Sequence, residues 1–201
     1  MGSTAKRNAR DKTITLLMRI WFDGVPEIKS LRMRALKIIR QLPTGERIPI
    51  HFGMSMATYP FLKIVADSIG RLLRLQNSLT SSQIQCRIRE KYGDRETVSR
   101  ATQRVIYSFI DWGVLEKEQK VSIYKSASVK YIDNPELVAW LIEAMLHAKP
   151  GNRSFFNDLL QTPAFFPFKL KWISLDVIEE LSNIQVAHKG SDGSLLVLRK
   201  S

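Results

Sequence analysis

The 201-residue chain carries 31 Lys+Arg against 19 Asp+Glu, a formal net charge of +12, with 44% hydrophobic and 25% charged residues. Such a composition excludes a disordered chain and describes one large or two small globular domains, long enough to bury a core without staples. A single cysteine excludes a disulfide framework and a thiolate zinc cage and fits a reducing cytoplasm, while the positive surplus favours a polyanionic partner, nucleic acid before acidic membrane.

The surplus is unevenly placed. Residues 1–58 hold eleven basic and four acidic side chains, residues 59–132 thirteen and seven, and residues 133–201 seven and eight. Three regions are expected: a basic N-terminal arm with helices, a basic central unit, and a neutral C-terminal unit that contacts itself or another protein. Residues 1–10 read as a solvated tail or as a basic arm lying along phosphates. No secretory signal is expected, because Arg19 interrupts the apolar run Leu16 to Phe22. The stretch Ile48 to Val65 has about the length of a spanning helix. Pro49, His51, Gly53, Pro60 and Lys63 within it favour buried loop and helix starts instead, so no membrane partner is expected.

Lys12 to Phe22 reads as a helix ended by Asp23-Gly24. Ile28, Leu31, Ala35, Ile38, Ile39 and Leu42 recur at helical spacing. Lys29, Lys37 and Arg40 fall opposite that stripe and Arg34 flanks it, which makes them either a solvated face or a phosphate-facing one. Thr58 is a candidate cap for a helix with Pro60 in its first turn, its apolar face supplied by Phe61, Leu62, Val65, Ile69, Leu72 and Leu73. Thr80 or a neighbouring serine caps the next helix, which Gly93 stops. Asp94 is a candidate cap for a longer one, whose apolar side is Val98, Ala101, Val105, Phe109 and Trp112. Val114–Lys117 and Val121–Tyr124 can then pair as a hairpin with a charged tip, Glu118 to Lys120.

Helix, helix, longer basic helix and charged hairpin is the order of a winged helix-turn-helix. The fold class expected is mainly α, with one such unit or two in tandem and small β-hairpin wings. In that geometry the third helix enters a major groove about 12 Å wide. Its outward side chains, with Arg95, Thr97, Ser99, Arg100, Gln103 and Arg104 as the candidate DNA-contacting set, divide by chemistry. Arg and Gln suit base edges, whereas Ser and Thr suit phosphate. Lys117, Lys120 and Lys125 would hold the wing against the backbone. The last third repeats the order without the charge: Glu136–Ala148, a helix around Phe155–Leu160, another around Leu175–Leu181, and a hairpin from Ile184–His188 and Leu195–Leu198. The aromatic-rich segment Pro163–Ile173 reads as core, or as a protein-docking patch if exposed.

The segment Thr58-Tyr59-Pro60-Phe61-Leu62 opening a helix, then VADSIGRLLRLQ, a polar second helix and ETVSRATQRVIYSFIDWGVLEK, resembles the BrxA-type accessory proteins of bacteriophage-exclusion (BREX) systems. The resemblance covers Met33 to Tyr131. It implies a small bacterial winged-helix protein that binds DNA and serves an anti-phage operon.

Enzymatic signals are sparse. His51, His147 and His188 lie far apart, Cys86 lacks an activating neighbour, and the acids do not cluster as in a metal-dependent nuclease. The expected function is non-catalytic double-stranded DNA binding, without cofactor or metal. Two alternatives are a sequence-specific transcriptional regulator and a protein-docking adaptor or RNA binder using the same basic face.

Overall fold

The computed structural model describes residues 11, 14–22, 25–118, 122–189 and 193–199. The chain is mainly helical with small sheets. Residues 14–21 form α1, followed by α2 (Lys29–Gln41), α3 (Ile48–Thr58), α4 (Pro60–Leu75), β1 (Leu79–Thr80), α5 (Ser81–Tyr92), α6 (Glu96–Asp111), β2 (Leu115–Lys117) and β3 (Ile123–Ser126). The second part comprises β4 (Lys130–Ile132), α7 (Pro135–His147), β5 (Arg153–Phe155), α8 (Phe156–Leu160), β6 (Phe168–Leu170), α9 (Leu175–Leu181), β7 (Ile184–Lys189) and β8 (Gly193–Leu198).

In the stretch from Ile48 to Val65, expected as buried loop and helix starts, Pro60 does start a helix, and the segment before it is a further helix, α3, rather than a loop. Pro49 and Pro60 each occupy a first turn, where the missing N–H is not needed. α3 is apolar around its circumference, and its residues from Phe52 to Thr58 are all buried, as befits a helix with no solvent face. Its partner is α7, buried from Leu137 to Leu146. A Cβ on Gly53 would lie 2.6 Å from Cζ3 of Trp140, so the absence of a side chain at 53 admits the indole. Trp140 in turn donates from Nε1 to the Leu31 carbonyl at 2.9 Å, which ties α2 to the same pair. One continuous hydrophobic core draws on all three charge regions of the chain.

Two expected caps fall elsewhere. Thr58 ends α3 and donates to the Met54 carbonyl at 2.8 Å, leaving Tyr59 as the N-cap of α4. Asp94 pairs with Arg89 at 3.3 Å, and Arg95 is the N-cap of α6, without a side-chain cap bond. Thr80 does cap α5. Its hydroxyl accepts from the Gln83 amide while the Gln83 side chain accepts from the Thr80 amide, closing a capping box.

The element order α4–β1–α5–α6–β2–β3 closes an antiparallel sheet in the order β1-β3-β2. The same order recurs as α7–β5–α8–α9–β7–β8, with an antiparallel sheet β5-β8-β7. Between α8 and α9 the chain inserts β6, which pairs in parallel with β4, Tyr131 opposite Lys169. Within the aromatic-rich insert, Phe165 and Phe168 are buried and Phe166 packs against the core, whereas Trp172 is 64% exposed.

The turn Pro163–Phe165 packs tightly on α4. A Cβ at Gly70 would meet the Pro163 carbonyl oxygen at 1.9 Å, a backbone clash that no rotamer change relieves. Gly70→Ala is therefore expected to lose about 1–3 kcal/mol of unfolding free energy in urea denaturation. The exposed Gly45→Ala, whose Cβ meets nothing within 4 Å, serves as the near-neutral control.

Candidate nucleic-acid interface

α5 ends at Gly93, whose φ of 80° suits glycine and whose amide reaches the Arg89 carbonyl at 2.7 Å. The chain then turns into α6. Thr102, Ile106 and Phe109 are the buried residues of α6, and Phe109 stacks on Phe52 of α3 at 5.3 Å. This stripe is rotated from the expected one: Val98, Ala101 and Val105 are only half-buried. Thr102 tolerates burial because its hydroxyl donates to the Val98 carbonyl at 2.9 Å.

The candidate contact residues of α6 divide into two groups. Arg95, Thr97, Arg100 and Arg104 are exposed, and Arg100 pairs with Glu96 one turn earlier. Gln103 is half-buried toward α5, and its Oε1 accepts from the Ser81 hydroxyl at 3.0 Å. Ser99 is also half-buried, with its carbonyl accepting from Gln85 Nε2 at 3.0 Å. Gln103 and Ser99 thus hold α5 against α6. The outward line is Arg100, Arg104, Tyr107 and Asp111.

On the hairpin, Lys117 lies opposite Tyr124 in the β2–β3 register and is exposed. Lys125 is exposed and forms an ion pair with Glu118, whose hydrogen bond and charge raise the lysine pKa above its ordinary value. Lys120, at the tip, lies outside the described residues, as do residues 1–10 and the arm expected there.

On α2, Lys29, Lys37 and Arg40 are exposed. Arg34 is a correction to the expected set: its guanidinium pairs with Glu143 of α7, a fully buried carboxylate. Glu143 also accepts from the Asn183 amide at 2.8 Å and lies 3.8 Å from His147 Nε2. A partner separated by 109 positions turns Arg34 inward, away from any phosphate.

Sequence reasoning missed the surface of α1. Ile14, Leu16, Leu17, Met18 and Phe22 are exposed, while Ile20 is buried. Three consecutive apolar residues at 16–18 are wider than one helical face, and that was the available signal. α1 is attached through Ile20, which joins the core, and through polar and aromatic contacts. Arg32 donates to the carbonyls of Ile20 and Phe22, both at 3.1 Å. Trp21 meets His51 edge-on at 5.3 Å, and Arg19 lies 5.5 Å from the centroid of the Tyr59 ring. Between α1 and α6 runs an apolar groove of about 430 Å³, lined by Leu16, Leu17, Tyr59, Ala101, Val105 and Trp112 among others, with Arg104 and Asp111 also in its lining.

No group of three His, Cys, Asp or Glu side chains placed to hold a metal is found among the described residues, and no described helix is long and apolar enough to cross a membrane. No protein family, curated protein or solved structure matches the chain.

Two outcomes are expected. Arg34→Met strands the buried Glu143 carboxylate and should cost roughly 3–5 kcal/mol in chemical denaturation, whereas Arg40→Ala on the same helix should change stability little. Burial first, and the Arg47 charge second, hold the His51 pKa below its ordinary 6.5. As pH falls through that value the unfolded chain takes up the proton before the folded one does, so the stability that neutral His51 contributes is lost. Thermal melts between about pH 8 and pH 5.5 should fall, and His51→Gln should lose less over the same range.

Proposed function

We propose that this chain is a non-catalytic, double-stranded DNA-binding accessory protein with two winged helix-turn-helix units. The first unit, α4 to β3, is basic, and the second, α7 to β8, is close to neutral. The observation that carries the reading is the exposure of Arg100 and Arg104 on the outer side of α6. That helix packs against α4 and α5 and is followed by the hairpin of a sheet ordered β1-β3-β2. Helix, strand, two helices and two strands in that order is the arrangement in which the last helix before the hairpin enters a major groove.

The positive surface of the first two-thirds of the chain captures the duplex through counterion release. α6 then inserts. Arg100 and Arg104 reach base edges or flanking phosphates, Arg95 and Thr97 lie at the helix start, where phosphate contacts are favoured, and Lys117 and Lys125 reach the backbone beside the hairpin. The Glu96–Arg100 pair is exposed at both ends and is worth only about 0.3–0.5 kcal/mol, so phosphate readily displaces the carboxylate. The resemblance to BrxA-type proteins adds the proposed setting, a bacterial anti-phage operon.

One observation favours a second reading. The exposed apolar side chains of α1 and the groove beside them suit a protein-docking adaptor, in which the basic face meets an acidic partner.

Mobility-shift titration of the full chain separates the two. Arg100→Ala with Arg104→Ala should leave the melting temperature unchanged and weaken duplex binding, each lost contact costing about 1–3 kcal/mol. Wild-type affinity should fall steeply with salt. Unchanged affinity in the double variant removes α6 from the interface, and an absence of duplex binding at low salt favours the adaptor.

A further inference from the structure

Among the described residues, the side chains of Lys63, Arg87 and Lys91 form no ion pair, and Lys91 Nζ lies 5.9 Å from the centroid of the Tyr92 ring. All three line one pocket of about 160 Å³ between α4 and α5, together with Asp67, Ser68, Arg71 and Glu90. α4 supplies Lys63, Asp67, Ser68 and Arg71, and α5 supplies Arg87, Glu90 and Lys91. The two acids do not cancel the four cations. Asp67 is held by Arg71 at 2.8 Å, and Glu90, which accepts from the Cys86 thiol at 3.7 Å, leaves the cations in excess. Ser68 turns its hydroxyl back to the Ile64 carbonyl at 3.0 Å.

Arg87 and Lys91 are exposed, whereas Lys63 is the least exposed of the three and half-buried. Burial lowers its pKa; Asp67 opposes that effect, and the charges of Lys91 and Arg71 add to it. Lys149, which follows α7, is perturbed in the same direction by burial and then by the Lys63 charge, and it donates to the Ser154 hydroxyl at 2.5 Å. Four cations gathered at one concavity with two carboxylates, one of them already paired with Arg71, leave an excess of positive charge, and a multiply charged anion relieves the remaining repulsion while supplying acceptors.

We infer that the α4–α5 pocket is a binding site for a phosphoryl group, with Lys63 at its base and Arg87 and Lys91 as its arms. The shared chemistry is a phosphate dianion or diphosphate. Its source is either a backbone phosphate of a nucleic acid or a free phosphorylated small molecule. This site lies on helices other than α6, and it stands whether or not α6 enters a groove.

The test uses the full chain and pyrophosphate, with chloride at matched ionic strength as reference. Pyrophosphate should raise the melting midpoint by a few degrees beyond chloride, and calorimetric titration should give saturable one-site binding. Arg87→Gln with Lys91→Gln, both exposed in the wild type, should weaken that binding at least tenfold without changing the melting temperature in chloride. Lys63→Met should do the same. Arg100→Ala with Arg104→Ala should leave pyrophosphate binding intact, which separates failure of this site from failure of the groove-reading helix. The salt dependence of duplex binding then assigns the source. A log–log slope reduced by about 0.9 in the Arg87/Lys91 variant identifies a backbone phosphate, and an unchanged slope identifies a free ligand. Stabilisation no greater than that by chloride, or pyrophosphate binding that survives the Arg87/Lys91 variant, overturns the proposal.

Discussion

The Trp140 indole is the contact from which the rest of the molecule is hung. Its ring lies where a side chain at position 53 would be, and its N–H satisfies the Leu31 carbonyl. One residue thereby joins α2, α3 and α7, which belong to the N-terminal and C-terminal thirds of the sequence. A buried indole N–H without a partner would cost about 1–3 kcal/mol, so the ring position and the helix positions are mutually fixed. The neutral last third therefore contributes its first helix to the same core that supports the basic two-thirds.

α6 is coupled to that core through aromatic packing. Phe109 stacks on Phe52, and Phe52 also meets Trp112 and Phe168 edge-on. The helix carrying the outward arginines is thus set by α3 from beneath and by α5 from the side, where Gln103 and Ser99 face Ser81 and Gln85. Rigid support of this kind is what a groove-reading helix requires, because the spacing of its contacts cannot be adjusted at the moment of binding.

Much of α4 was legible in the sequence because Leu62, Val65, Ile69 and Leu72 repeat at a single period and the helix has one solvent side. α3 was not, because a helix buried all round has no periodic face to display. On α6 the wheel located a buried side but not its centre: the choice between Val98/Val105 and Thr102/Ile106 depends on which neighbours cover them, and Thr102 reads as polar until its bond to Val98 is known. The candidate site shared this limit. Arg100 and Arg104 are exposed as local pattern required, whereas the engagement of Arg34 by Glu143, and of Gln103 by Ser81, depends on partners far along the chain. The apolar width of α1 was written in residues 16–18, but its exposure depends on how little of the fold covers it.

The positive charge of this chain is sorted by how firmly each cation is held, and the sorting separates architecture from surface chemistry. Arg34 and Glu143 form a pair whose acidic member has no access to water. Withdrawing the arginine to serve a ligand would leave a buried charge uncompensated, a cost no single phosphate contact returns. Arg71, Arg89, Arg100 and Lys125 are paired too, but these four basic side chains retain substantial exposure. Such pairs are worth about 0–1 kcal/mol, weaken with salt, and are exchanged for a phosphate at little cost. Counting ion pairs alone would remove both kinds from the binding surface. Weighing them by desolvation removes only Arg34 and leaves the outer arginines of α4, α5 and α6, with the hairpin lysines, as charge free to meet a polyanion.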